Sequence, residues 1–291
     1  MLKALTLLVL CSAAIGLSSS PGCQAQNNRN GKTAVENQKK DPDELRPLAE
    51  GSNSAIEDPF IAVIRDGETY DQLRQLEPNL PHLGADFFNE NTVIAAFLGT
   101  RNTAGYSVAI SRGPRGDLRV AEKSPPKGAM TAQVITSPYK LVSFASNGLI
   151  SVELSADEIF RSNAQLYRIN SGSFDVSGGL SGQGESMKLN GKLQLTRLGG
   201  LVTIGFAIVT SGSARERSLR DAATGVIKDG KIVISRLSHG SLLDPPSGEL
   251  QINGTFLEHD KLSLEVTSKP LNVPENYSGR GLIAAGLVSA K

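Results

Sequence analysis

The stretch Leu189-Asn190-Gly191-Lys192-Leu193-Gln194-Leu195-Thr196-Arg197-Leu198-Gly199-Gly200-Leu201-Val202-Thr203-Ile204 reads as two β-strands folded about a glycine pair. Leu189, Leu193 and Leu195 recur on even steps with polar residues between, the period of a strand with one face in a core and one in water. Gly199-Gly200 supplies the backbone freedom of a two-residue hairpin turn. The same pattern continues outward in both directions. Strands are expected at Leu166 to Val176, Ser186 to Leu198, Leu201 to Thr210, Ala222 to Lys228, Lys231 to Leu237, Glu249 to Leu257, Lys261 to Ser268 and Gly279 to Val288. Lys228-Asp229-Gly230-Lys231 and Glu258-His259-Asp260 mark further turns. An antiparallel meander of about eight strands closes into an up-and-down barrel or folds as a curved sandwich, and a barrel is favoured because closure removes exposed edges. Leu189-Asn190-Gly191-Lys192-Leu193 is echoed by Ile252-Asn253-Gly254-Thr255-Phe256, which fits a glycine kink or bulge where a strand bends.

Before about Ser146 the pattern differs. Pro59 to Ile64 is a short apolar strand, and Tyr70, Leu73 and Leu76 have helical spacing behind a Thr69 cap, with Pro78 and Pro81 closing the helix. Thr92 to Leu98 is nearly all apolar, as in the centre of a sheet. Tyr106 to Ile110 and Leu118 to Glu122 form a hairpin around Gly113-Pro114-Arg115-Gly116. Val134 to Phe144, broken by Pro138, reads as an edge or bulged strand. Leu154 to Arg161 suggests a brief helix. The expected fold is mainly β: a small α+β domain over 59–145, an antiparallel sheet with one short helix, followed by an all-β, barrel-like domain over 146–291.

Met1-Leu2-Lys3 and the apolar run Ala4 to Leu17 have the layout of a secretory signal over residues 1–25, too short to span a bilayer comfortably. Of the two cysteines, Cys11 lies in that run and Cys23 just beyond it, so the mature chain is expected to hold no internal disulfide. Ser20-Pro21-Gly22-Cys23 resembles a lipoprotein signal, in which Cys23 would receive a lipid; ordinary cleavage near Ala25 is the alternative. Residues 26–58, rich in Asn, Gln, Lys, Asp and Glu, read as a disordered tether. The expected location is the cell envelope or the exterior, with membrane contact only through a lipid anchor.

With Lys+Arg 30 against Asp+Glu 29 the net charge is +1, which gives no field for nucleic acid. His82, His239 and His259 show no metal-ligand spacing and read as turn histidines. No nucleophile elbow is found among the serines. Gly178 to Gly184 lacks the Lys-Ser/Thr of a phosphate loop. Asp157 and Glu158 are adjacent and diverge on a helix, unlike a paired acid and base. Arg215 and Arg217 share one face of an alternating strand and read as a solvated surface or an anion contact. No enzyme, metal or cofactor is expected.

Asp86-Phe87, the apolar strand Val93 to Leu98, Gly99, Thr103-Ala104-Gly105-Tyr106-Ser107-Val108-Ala109-Ile110, Pro125-Pro126-Lys127-Gly128 and Thr136-Ser137-Pro138-Tyr139 follow one another in an order and spacing. That series resembles the C-terminal domain of the PrcB family, over about Phe60 to Phe144. The family often has Gly-Gly-Tyr where this chain has Ala104-Gly105-Tyr106. The resemblance implies a non-catalytic accessory module that binds or stabilises a secreted, typically subtilisin-like, protease. Partner-binding residues are then expected at Arg101, Asn102, Thr103, Gly105 and Tyr106, on a polar loop where Gly105 takes a positive φ, and at Tyr139. Two alternatives stand beside it: a periplasmic or surface barrel holding a small apolar ligand, and a structural envelope lipoprotein.

Overall fold

In a computed structural model, which describes residues 44–84, 86–146, 151–177, 185–211, 217–238, 248–257, 260–270 and 278–288, the first half builds two small sheets. Its elements are β1 (Arg46–Gly51), β2 (Phe60–Ile64), α1 (Gly67–Leu76), α2 (Phe87–Glu90), β3 (Asn91–Phe97), β4 (Ser107–Arg112), β5 (Leu118–Lys123), β6 (Tyr139–Ala145), β7 (Leu154–Ala156) and α3 (Glu158–Ser162). An antiparallel sheet runs β1-β6-β3-β2, and a second runs β4-β5-β7. Every residue of β3 is buried, because both of its faces are covered. Val93, Ala95 and Phe97 pack with Tyr70 and Leu73 of α1. Ile94 and Ala96 pack with Val108, Leu118 and Val120 of the hairpin. A strand covered on both sides needs an unbroken apolar run, and this one has it.

Four expectations are corrected here. Residues 44–58 belong to the fold rather than to a tether, since β1 pairs with β6 from Arg46↔Ser143 to Gly51↔Tyr139. Strand β6 is therefore interior; it starts only after Pro138, whose missing N–H costs nothing there, and whose carbonyl accepts from Leu98 N–H at 2.9 Å. The helix cap is Asp66 rather than Thr69: the Asp66 carboxylate accepts the Thr69 N–H at 2.8 Å and the Thr69 hydroxyl at 2.9 Å. Leu154 to Arg161 divides into β7, parallel to β5, and the short α3.

The second half is β8 (Gln165–Ser177), β9 (Glu185–Leu198), β10 (Leu201–Ser211), β11 (Arg217–Lys228), β12 (Lys231–Ser238), β13 (Gly248–Leu257), β14 (Lys261–Pro270) and β15 (Ser278–Leu287). They close an antiparallel barrel, β10-β11-β12-β13-β14-β15-β8-β9. Asp229 (φ 48) and Gly230 (φ 74) both lie in the left-handed region that the tightest hairpin turn demands. Bulges lie in β8, where Asn170 is skipped between the pairs Ala284↔Ser171 and Ala285↔Ile169, and in β12, where the register shifts between Ile234 and Leu237. The two echoed glycines serve close approach: a Cβ at Gly191 would run into the Ala207 backbone, and one at Gly254 into Leu264 and Ile232.

Phe174, Leu193, Ile204, Leu264 and Ile283 point inward and fill the barrel. Among the described residues this leaves a void of ≈ 20 Å³, room for about one water. Outward positions such as Lys192, Gln194, Gln251, Asn253 and Arg280 are exposed. Apolar-in and polar-out is the reverse of a membrane-spanning barrel. No described helix is long and apolar enough to cross a membrane.

Sheet and barrel lie within one compact unit, Lys40–Lys291. The edge strand β2 lies against the outside of β10 and β11, where Thr203 Oγ1 donates to the Ile61 carbonyl (2.8 Å) and Val63 N–H donates to Thr224 Oγ1 (2.7 Å). Beside them Arg65 reaches the Ala222 carbonyl (2.9 Å) and the Asp221 carboxylate (2.8 Å). Asp221 Oδ1 also accepts the N–H of Val152 and of Ala222. The buried charges are thus paired and hydrogen-bonded, as burial requires.

Candidate functional site

Two connections meet at the end of the first sheet where β3 finishes and β6 begins. Residues 98–106 join β3 to β4, and residues 124–138 join β5 to β6. The sequence demands both. Gly105 takes φ +94, turning the first loop back into β4, and Pro125-Pro126 cannot extend a hydrogen-bonded strand.

The loops are tied to each other. Arg101 and Thr136 exchange backbone hydrogen bonds of 2.7 and 2.9 Å, and Ala104 N–H donates to the Ala132 carbonyl at 3.0 Å. The Thr136 hydroxyl donates to the Thr103 carbonyl at 3.2 Å. Behind them, Ser137 N–H donates to the Ser52 carbonyl, and Ser54 N–H to the Ser137 carbonyl. A long connection held at this many points is a platform with little ordering entropy left to lose.

Of the expected binding residues, Arg101, Asn102, Thr103, Gly105 and Tyr106 come together on this platform. Arg101 is locked: its guanidinium pairs with Glu122 at 2.6 Å and lies 5.7 Å from the Tyr106 ring centroid. Tyr106 is half-buried beneath it, while Asn102 is exposed. Tyr139 does not join them. Its ring stacks on Phe97 at 5.8 Å and lies against Gly51. Burial, then the negative charge of Glu77, raises its phenol above the ordinary value of 10.0. It supports the sheet.

Residues that the pattern reading missed lie on the second loop. Met130 is fully exposed (103 %), with Ile135 at 74 % and Val134 at 50 %. Val134 and Ile135 read as the start of the edge or bulged strand expected over Val134 to Phe144. The strand starts only at Tyr139, after Pro138, and leaves both on the loop before it. No described residue covers these side chains.

His82 is exposed, and no group of three or more potential metal ligands occurs among the described residues. Asp157 spends its carboxylate on the Glu122 N–H at 3.0 Å, and Glu158 pairs with Arg161 on the surface. His239, His259, Gly178 to Gly184, Cys11, Cys23 and the side chains of Arg215 and Arg217 lie outside the described residues.

The platform and the strands that carry it fall in a stretch similar to a known domain. Residues 92–145 match the family model of the PrcB C-terminal domain. The matched segment runs from β3 through β6, so both loops and all three exposed apolar side chains fall within it. Neither a search of curated proteins nor one of solved structures found a match.

Proposed function

We propose that the protein is an exported, non-catalytic accessory subunit of a secreted, subtilisin-like protease, and that the paired loops of its PrcB C-terminal segment form the docking surface. The observation that carries the reading is the exposure of Met130, Val134 and Ile135 on a braced platform within that segment. Adjacent exposed apolar side chains on a loop are a mark of an interaction site. Methionine and aromatic residues are enriched at interface centres. Because the loops are already held, association orders few additional groups, which leaves more of the contact energy for affinity. Arg101, fixed over Tyr106, supplies a polar rim, and Asn102 and Thr103 supply hydrogen-bonding groups. A lipid on Cys23 would hold the complex at the envelope.

The test is capture from secreted extract with the tagged mature chain, read as caseinolytic activity sensitive to a serine-protease inhibitor. Retention by the wild type, with loss of about tenfold or more in Met130→Glu/Ile135→Glu at unchanged melting temperature, is expected from the removal of an apolar anchor. Failure of the wild type to retain any protease would refute the reading.

A further inference from the structure

A cleft of ≈ 440 Å³ lies on the flank of the barrel, apart from the loop platform. That is within the range of about 300–1,000 Å³ typical of small-molecule sites, which favour such junctions between substructures. Its floor is the outer face of β9, β10 and β11, and its wall is the segment from Glu153 through α3.

The floor has a definite chemistry. Ala207 pairs with Lys192 on one side and with Arg220 on the other, so the backbone positions of two cationic residues lie about 10 Å apart, with only a small side chain between them. Arg161 adds a third cation from the wall, and Leu166 and Phe160 add an apolar end. Arg161 is shared with Glu158 at 3.4 Å in an exposed pair, and the other carboxylates present leave Lys192 and part of Arg220 uncancelled. Asp221 is committed to Arg65 and to two backbone N–H groups. Glu153 holds Arg220 at 2.7 Å, in a pair whose side chains are 47 % and 60 % exposed, which is a weak bond that a ligand can share. Lys192 pairs with no carboxylate among the described residues.

We propose that this cleft binds a small organic carboxylate with an apolar body. The carboxylate sits above Ala207, taking charge-assisted hydrogen bonds from Lys192 and from the free guanidinium donors of Arg220. The apolar body lies along Leu166 and Phe160. This site is independent of protease docking, and neither conclusion rests on the other.

The experiment is calorimetric titration of the mature chain with decanoate, alongside decanol as the uncharged control. Saturable binding is expected. Lys192→Glu should weaken it by about tenfold or more, the size of one lost charge-assisted hydrogen bond, with decanol weaker to a similar degree. Ala207→Phe, which fills the floor, should abolish it. Both positions face outward from the barrel, and unchanged circular dichroism checks that each variant folds. No saturable binding by the wild type at about 1 mM decanoate, or equal binding by the wild type and both variants, overturns the proposal. Co-sedimentation with phosphatidylglycerol vesicles that is lost in Lys192→Glu, without decanoate binding, overturns it too and assigns the cations to a membrane surface.

Discussion

The hydroxyl of Thr203 has one proton, and it is given to the Ile61 carbonyl. In the 2.8 Å contact between Thr203 and Thr224 the donor is therefore Thr224, whose oxygen accepts from Val63 N–H. A directed chain runs from Val63 through Thr224 and Thr203 to Ile61, and it satisfies two polar groups of an edge strand. Thr224→Val removes the acceptor of Val63 and should cost about 1–3 kcal/mol, as should Thr203→Val. Because each change breaks the same chain, the double variant should lose less than the sum. Urea denaturation of the four proteins measures this, and additivity within about 0.5 kcal/mol would contradict it. A second effect belongs to Tyr70, fully buried with its hydroxyl donating to the Pro81 carbonyl at 2.8 Å. Burial, eased by Arg74 and reinforced by Asp71, raises its phenol from 10.0 to about 12. The folded state holds this proton when the unfolded chain has released it. The stabilisation is complete below pH 10 and disappears as pH rises through about 12. The melting temperature should fall over that window, and less steeply in Tyr70→Phe. Tyr139 and Tyr167, raised mainly by burial, keep part of the slope in that variant.

At the level of elements, the eight barrel strands were legible because each alternates and each is bounded by turn residues. Pairing between distant strands was not. Arg46-Pro47-Leu48-Ala49-Glu50-Gly51 carries only two partly buried apolar residues, Leu48 and Ala49, and its composition matches the polar stretch before it. It becomes a strand because β6 offers an open edge, which is a tertiary cause that no local pattern records. Pro138 misled for a related reason: it marks where a strand begins as readily as where one lies exposed. Deleting residues 44–52 should bare β6, lower the melting temperature by several degrees, on the order of 2 kcal/mol for a domain of this size, and increase aggregation through the freed edge. Light scattering during thermal unfolding reads both effects, and deletion of residues 24–43 is the control. The docking loops divide in the same manner. The turn glycine and Tyr106 announced the first loop, whereas Met130, Val134 and Ile135 became visible only once the structure showed them exposed.

At the scale of the whole molecule, the sequence places a boundary near Ser146, yet the groups that join the halves come from positions far apart in the chain. Val226 and Leu201 of the barrel belong to the same apolar cluster as Phe60, Tyr70 and Leu73. Strands β11 and β12 share only three register pairs, Val226↔Val233 to Lys228↔Lys231. Beyond them, Arg65 bonds the Ala222 carbonyl and the Asp221 carboxylate. Neither end of this linkage looks unusual in sequence, because an arginine after an apolar run and an aspartate in a strand are ordinary until they meet. A barrel freed from the first sheet would expose Leu201, Val226, Thr203 and Thr224 together and would take from Asp221 both the Arg65 guanidinium and the Val152 N–H. The two halves should therefore unfold in one cooperative transition. Native-state hydrogen exchange in dilute denaturant checks this: amides of β3 and of β10 should converge on a common opening free energy. Asp221→Leu should lower both by the same amount. Separate opening energies for sheet and barrel, or a loss confined to the barrel in that variant, would mean that the junction does not unite them.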